Sequence, residues 1–434
     1  MDTKVTTQPY KGARDFYPED MQIRNYMFNI WSSVCESYGF QEYDFPILEP
    51  FELFAAKTGE EIVNEQLFSF EDKAGRKLAM RPEITPGTVR MLAKKYHELV
   101  KPVRWFMIGN NWRFEKPQKG RGREFYQLEV NVFGEEGVRA DFEVFEIIIS
   151  IMKAFGATSD QFSVHLSDRR LISALLGDFL KLDKEKQVSV RRLMDKWKKL
   201  KEEAFKSQLT ELGLDEAAVR AVEQFMKSDF DNLSEILPKE ILQDNQGYSQ
   251  IQELFGLLND TGLNEYVSFD PSIIRGFDYS DGLVYEVFDK NPDNRRSMFG
   301  GERFDKLINI FDDFDLPATG FAMGDITLLE FLRGWELLPD FESKTKVYVT
   351  LFDQATQDEA LVLAGQLRAE GINTVTALKI EKLNKQFKFA DRMGIPYVVV
   401  IGPDEVQAET FQLKDMKTGE QEELNYESLL QRLK

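Results

Sequence analysis

The chain has 434 residues, of which 42% are hydrophobic and 30% charged, with a net charge of −19. This is the balance of a globular protein, and its overall field repels phosphate and disfavours nonspecific adhesion to nucleic acid. One cysteine, Cys35, and two histidines, His97 and His165, exclude a disulfide framework and a Cys/His zinc site.

No apolar run approaches the roughly 18 residues needed to span a bilayer, and Met1 to Lys11 carries no apolar signal segment. No membrane association and a cytoplasmic location are therefore expected. At about 100 to 200 residues per domain, two or three domains are expected.

In chain order, Glu19 to Tyr38 reads as an amphipathic helix, followed by a proline-bearing strand from Gly39 to Pro50. Pro46 cannot donate to a ladder, which places that strand at an edge or an interface. Gly87 to Leu99 has helical spacing, and His97 within it reads as a surface residue. Pro102 to Arg113 and Glu124 to Phe133 read as strands joined by a loop dense in Arg and Lys, with Pro and Gly punctuation.

The second strand alternates strictly. Tyr126, Leu128, Val130 and Val132 are apolar, whereas Gln127, Glu129 and Asn131 are polar, so one face is core and the other borders a polar space. The cationic loop is either a solvated tip or a phosphate-binding element, for which the planar fork of Arg is better suited than Lys.

Arg139 to Phe155 reads as a buried helix behind the sheet, and about 170–264 as a run of helices rich in Lys, Glu and Leu. Pro271 to Asp278 and Leu283 to Asp289 flank an Asp281-Gly282 turn cue, which predicts a hairpin carrying Arg275. Gly300-Gly301 and Gly320 to Gly324 are turn formers that also permit close approach of a ligand. After Pro339, strand and helix patterns alternate through Val347–Phe352, Asp358–Glu370, Thr374–Leu378, Lys382–Met393 and Tyr397–Ile401. That alternation predicts a separate α/β domain with a largely parallel sheet.

Several of these segments carry a resemblance. Arg113-Phe-Glu115-Lys-Pro-Gln-Lys-Gly-Arg121-Gly-Arg123-Glu-Phe-Tyr-Gln127 resembles motif 2 of class II aminoacyl-tRNA synthetases, and of the histidyl-tRNA synthetase family in particular. Arg81-Pro-Glu83-Ile-Thr85 is similar to the segment by which that family holds its amino acid, and Arg275-Gly-Phe-Asp-Tyr279 to its histidine signature. Lys382 to Gly402 resembles the family's anticodon-binding domain.

The segments occur in the family's order along nearly the whole chain. The resemblance implies an α+β fold: an antiparallel-sheet class II catalytic domain over 1–340 with a helical insertion at about 170–264, then an α/β anticodon-binding-like domain over 341–434. It also implies a homodimer formed through the first helix and the proline-bearing strand.

The chemistry implied is ATP-dependent activation of histidine to histidyl-adenylate, followed by transfer to tRNA(His). Arg113 and Arg275 would clamp the α-phosphate, Arg121 the outer phosphates, and Glu115 would face adenine. Mg²⁺ would arrive with ATP. Glu83, Thr85 and Gln127 would hold the substrate ammonium, with Glu129 and Tyr279 also in the histidine site.

The chain departs from the family pattern in places. Asp325-Ile326-Thr327 stands where motif 3 carries a Glu-Arg pair, leaving Arg333, two helical turns on, as the nearest replacement. Ser280 follows Tyr279, Phe304 replaces a tyrosine, and Asn131 stands where an acid is expected. Two other readings follow from these departures: a synthetase-like regulatory or tRNA-sensing paralogue, and adenylation of a different amino acid. A purely regulatory subunit would not need the C-terminal domain.

Overall fold

The computed structural model describes residues 5–55, 65–118, 120–274, 282–294 and 296–434. They form two compact units, 1–338 and 339–434. In the first unit, α1 (Pro18–Ser37) leads into β1 (Gln41–Glu42), β2 (Leu48–Pro50) and α2 (Phe51–Ala55). Next come β3 (Ser69–Glu71), β4 (Lys77–Met80) and α3 (Thr85–Lys95). The long strands β5 (Val103–Trp112) and β6 (Glu124–Phe133) are followed by α4 (Val138–Ala154) and β7 (Phe162–Asp168).

The helical section holds α5 (Arg169–Ser173), α6 (Lys184–Met194), α7 (Glu202–Glu211), α8 (Glu216–Lys227), α9 (Leu233–Ile236), α10 (Lys239–Gln243) and α11 (Gln246–Asp260). The unit closes with β8 (Val267–Phe269), β9 (Leu283–Asp289), β10 (Ser297–Arg303), β11 (Ala318–Gly324) and α12 (Asp325–Gly334).

Eight strands form one sheet in the order β1-β5-β6-β11-β10-β9-β7-β8. Its six central strands pair antiparallel, and only the short edge strands β1 and β8 pair parallel. The alternation in β6 sets its faces. Leu128, Val130 and Val132 enter the main core with Met27, Trp31 and Cys35 of α1, the isoleucines of α4, and Phe331 of α12. Glu129 and Asn131 point to the other side, yet they are 1% and 2% exposed. The polar face is thus roofed over rather than open to water.

Two local expectations are corrected. The proline-bearing stretch 39–50 is two short strands in different sheets: β1 lies on the edge of the large sheet and β2 pairs with β4 in a three-stranded sheet. Pro46, lacking an N–H, sits in the crossing between them. The predicted hairpin is also not formed by the described part of its first arm, because both edges of β9 are occupied, by β7 and β10. Residues 271–274 instead turn away, with Asp270 Oδ1 accepting from Ser272 N at 2.9 Å. Residues 275–281 lie outside the described set.

The second unit contains β12 (Val347–Val349), α13 (Gln357–Ala369), β13 (Thr374–Thr376), α14 (Leu383–Arg392), β14 (Tyr397–Val400), α15 (Pro403–Ala408), β15 (Phe411–Asp415), β16 (Gln421–Leu424) and α16 (Tyr426–Leu433). The sheet order is β13-β12-β14-β15-β16, parallel across the first three strands and antiparallel beyond. The connections from β12 to β13 and from β13 to β14 run in opposite directions across the sheet, so right-handed crossovers put α13 and α14 on opposite faces. Buried Gln386 holds the chain just past β12, accepting from Leu351 N at 3.0 Å and donating to Leu351 O at 2.9 Å.

Candidate active site

The polar face of the large sheet is built row by row. Cross-strand pairing aligns Met107, Glu129, Ala322, Gly300, Glu286 and His165. The next row carries Trp105, Asn131, Gly320 and Glu302. The glycines are needed for fit: a Cβ on Gly320 would sit 2.1 Å from Asn131 Oδ1 and 2.2 Å from Val130 O. Neither Glu286 nor Glu302 is a site residue expected from the sequence.

Glu129 is the electrostatic centre. Its Oε2 accepts from Thr85 Oγ1 at 3.0 Å, and its Oε1 accepts from Asn131 Nδ2 at 2.8 Å and Thr88 Oγ1 at 3.2 Å. Burial pushes its pKa up to about 7 even though these three donors pull it down, and nearby Glu83 adds to the rise. Where an acid is expected, Asn131 instead donates to the carboxylate of Glu129, two residues along the same strand face.

Glu83 is itself buried. Gln127, next on the same strand face, accepts from Asn111 Nδ2 at 2.9 Å. Glu83, Thr85, Gln127 and Glu129 therefore gather along β6 and the start of α3.

Arg81 fixes the approach of this segment. Its Nε donates to Asn110 O and its Nη1 to Phe45 O, both at 2.8 Å. Burial lowers its pKa against the pull of Asp44. Phe45 in turn packs on Gly87, where any Cβ would meet the ring at 2.3 Å.

Arg113 lies at the end of β5, donating from Nε to Pro82 O at 2.8 Å, with its guanidinium 5.4 Å from the Phe125 ring centroid. Glu115 and Arg121 pair with each other at 3.1 Å on the loop beyond. Arg123 donates from Nε to Glu115 O at 3.2 Å and lies over Phe114. Arg275, Tyr279 and Ser280 fall outside the described residues, so the pairing of Arg113 with Arg275 is a sequence expectation.

At the head of α12, Asp325 takes an ion pair from Arg14 at 2.7 Å and a hydrogen bond from Tyr126 N at 2.9 Å. Burial raises its pKa against these partners. Thr327, in the place of the family arginine, donates to Met298 O at 2.8 Å. Arg333 does not replace that arginine. It is exposed and lines a cavity of about 290 Å³ with Asp20, Arg24 and Met27 of α1, and Arg24 reaches Tyr126 on the face of β6 opposite Glu129. Phe304 packs in an apolar cluster with Val89, Phe133 and Leu307.

In the second unit, the groove between α13, α15 and α16 encloses about 610 Å³ and is rimmed by Asp358, Glu359, Glu405, Glu409 and Glu427. That rim repels phosphate. A cluster of cations, Lys379, Lys382, Lys385, Lys388 and Arg392, lies on α14 and just before it. Among them Lys379 and Lys385 lie 3.1 and 3.6 Å from Glu381, and exposed Phe389 stands on the same helix.

An antiparallel sheet whose polar face joins an Arg-Pro-Glu segment to a motif 2 hairpin defines the catalytic domain of a class II aminoacyl-tRNA synthetase. Residues 12–327 match the model of histidyl-tRNA synthetase and residues 346–434 that of the anticodon binding domain. The histidine–tRNA ligase of Leptospira biflexa is 40% identical, covering 99% of this chain and 98% of that protein. That of Opitutus terrae is 36% identical, with 95% of each covered. A solved histidyl-tRNA synthetase from Nostoc superposes with a TM-score of 0.86 at 24% identity over 99% of both chains, a likeness of fold. The chain belongs to the histidyl-tRNA synthetase family.

Proposed function

We propose that this chain is a histidine–tRNA ligase, joining histidine to the 3′ end of tRNA(His) by way of histidyl-adenylate. In the first step an oxygen of the histidine carboxylate attacks the α-phosphorus of Mg-ATP, and the bond from that phosphorus to the bridging oxygen breaks, releasing pyrophosphate. In the second, the 3′-terminal ribose hydroxyl attacks the activated carbonyl and AMP leaves. Neither step needs a covalent enzyme intermediate, so the protein's work is positioning and charge.

The observation that carries the reading is the buried Glu129 carboxylate held by Thr85, Thr88 and Asn131 beside Glu83. Such a site suits a small zwitterion with a second, basic ring. Glu83, Thr85 and Gln127 take the ammonium, Glu129 and Tyr279 the imidazole, and a carboxylate is the natural acceptor for both kinds of N–H.

Arg113 and Arg275 stabilise charge at the α-phosphate, Arg121 meets the outer phosphates on leaving Glu115, and Glu115 turns to the adenine. The metal is the substrate's own Mg²⁺. The likeness to histidine–tRNA ligases over nearly the whole chain, anticodon binding domain included, favours the ligase over the regulatory paralogue.

The catalytic domain is read as 1–340 and the anticodon-binding domain as 341–434, with tRNA approaching α14 through Lys382, Lys388 and Arg392. A cytoplasmic homodimer paired through α1 and the 39–50 segment completes the reading. ATP–pyrophosphate exchange with each amino acid in turn tests it, together with charging of tRNA(His). Exchange with histidine alone supports the ligase, absence of exchange the regulatory paralogue, and exchange with a different amino acid an altered pocket.

A further inference from the structure

Behind Glu129 runs a chain of hydroxyls that leads to the sheet edge. Thr88 lies one turn after Thr85 on α3, so both side chains share a face and meet the two oxygens of the same carboxylate. Thr88 Oγ1 is also hydrogen-bonded to the phenol of Tyr43. Tyr43 follows β1, its amide donating to Phe106 O at 3.1 Å and its ring tilted against Trp105 at 5.2 Å. The ring is half-buried, but its hydroxyl end is enclosed, and burial pushes the phenol pKa well above its ordinary value, so it remains a neutral donor.

A hydroxyl has one proton and two lone pairs. If Tyr43 donates to Thr88, the Thr88 proton is directed onward, with Glu129 Oε1 at 3.2 Å and Ile84 O at 3.3 Å as its acceptors. The carboxylate oxygen carries the greater charge and makes the stronger bond.

Resting on the reading of Glu129 as the imidazole acceptor, we infer that Tyr43 and Thr88 are positioning residues for histidine recognition: the Tyr43 phenol donates to Thr88, which donates to Glu129 and holds that carboxylate aimed and ionised for the substrate's ring N–H. Neither residue touches the substrate in this scheme. Among the described residues, the charged groups acting on the carboxylate include Glu83, from the segment before α3, and Arg81. Both are left unaltered by changes at positions 43 and 88.

The test compares Y43F, T88V, T88S and E129Q by histidine-dependent ATP–pyrophosphate exchange across pH 6 to 9. Y43F removes one oxygen and with it the bond to Thr88, whereas T88V keeps the shape and removes the Thr88 bonds to both Tyr43 and Glu129. Each should raise KM for histidine by about 3- to 10-fold, with kcat and KM for ATP unchanged. Fewer donors favour the protonated acid, so the acid limb of the histidine KM profile should move to higher pH in both variants. Titration of free histidine is common to every enzyme and cancels in that comparison. T88S, which keeps the hydroxyl, should behave as the parent does.

If Y43F and T88V leave both KM and the acid limb unmoved while E129Q raises KM, the relay is refuted and the role of Glu129 stands. If E129Q also leaves histidine KM unmoved, the reading of Glu129 as the imidazole acceptor fails, and the relay with it.

Discussion

Replacing Glu129 by Gln should make the ligand-free protein more stable at high pH while weakening its use of histidine. Burial holds the folded-state pKa at about 7, against an ordinary 4.5. The folded chain therefore binds more protons than the unfolded chain between those values, and stability falls as pH rises through this window. At 1.36 kcal/mol per pKa unit, the ionised carboxylate costs up to about 3 kcal/mol above pH 7 and nothing below about pH 4.5.

Glutamine fits the same space. Its carbonyl accepts from Asn131 and its amide donates to Thr85, whose hydroxyl turns to accept. Thermal melts without ligand should thus coincide near pH 4 and separate by pH 8, with the Gln variant melting several degrees higher. In exchange assays the same variant should show histidine KM raised by about 10- to 100-fold, the worth of a charge-assisted hydrogen bond. A melting difference independent of pH, or a Gln variant less stable at pH 8, would refute the burial argument.

Other substitutions probe the frame around the site. Arg303 and Asp141 form an ion pair at 2.8 Å with side chains 3% and 1% exposed. Asp141→Ala should cost about 3 to 5 kcal/mol in chemical denaturation, whereas Asp141→Leu combined with Arg303→Met should recover most of it. Gly320→Ala must push β6 aside, lowering the melting temperature by the equivalent of about 1 to 3 kcal/mol and raising histidine KM through displaced Asn131. Gln386→Ala strips Leu351 of two hydrogen bonds. Hydrogen exchange should report faster exchange of the Leu351 amide with the first unit unchanged. Asp325→Asn removes the charge that holds Arg14, so trypsin should cleave after Arg14 faster than in the parent.

The fold class was legible because its signals are local. The period of two in β6 separates core from polar face within ten residues, and the α/β alternation after Pro339 needs only short windows. What escaped was pairing. That 41–42 and 48–50 join different sheets, and that β9 is already flanked on both sides, depend on partners far along the chain.

In the site, Thr88 could have been read from its spacing to Thr85, but Tyr43 carries no local mark. The closeness of positions 129 and 131 was visible, since both sit on one strand face. Which of the two is the hydrogen-bond donor follows from Asn131 being neutral and from what surrounds the acid.

The most direct measurement is a crystal structure with a non-hydrolysable histidyl-adenylate analogue. The imidazole is expected within hydrogen-bond distance of Glu129, the ammonium against Glu83, and the Arg113 guanidinium on the α-phosphate. An analogue bound with its ring away from Glu129, or with Arg113 turned from the phosphate, would contradict the account.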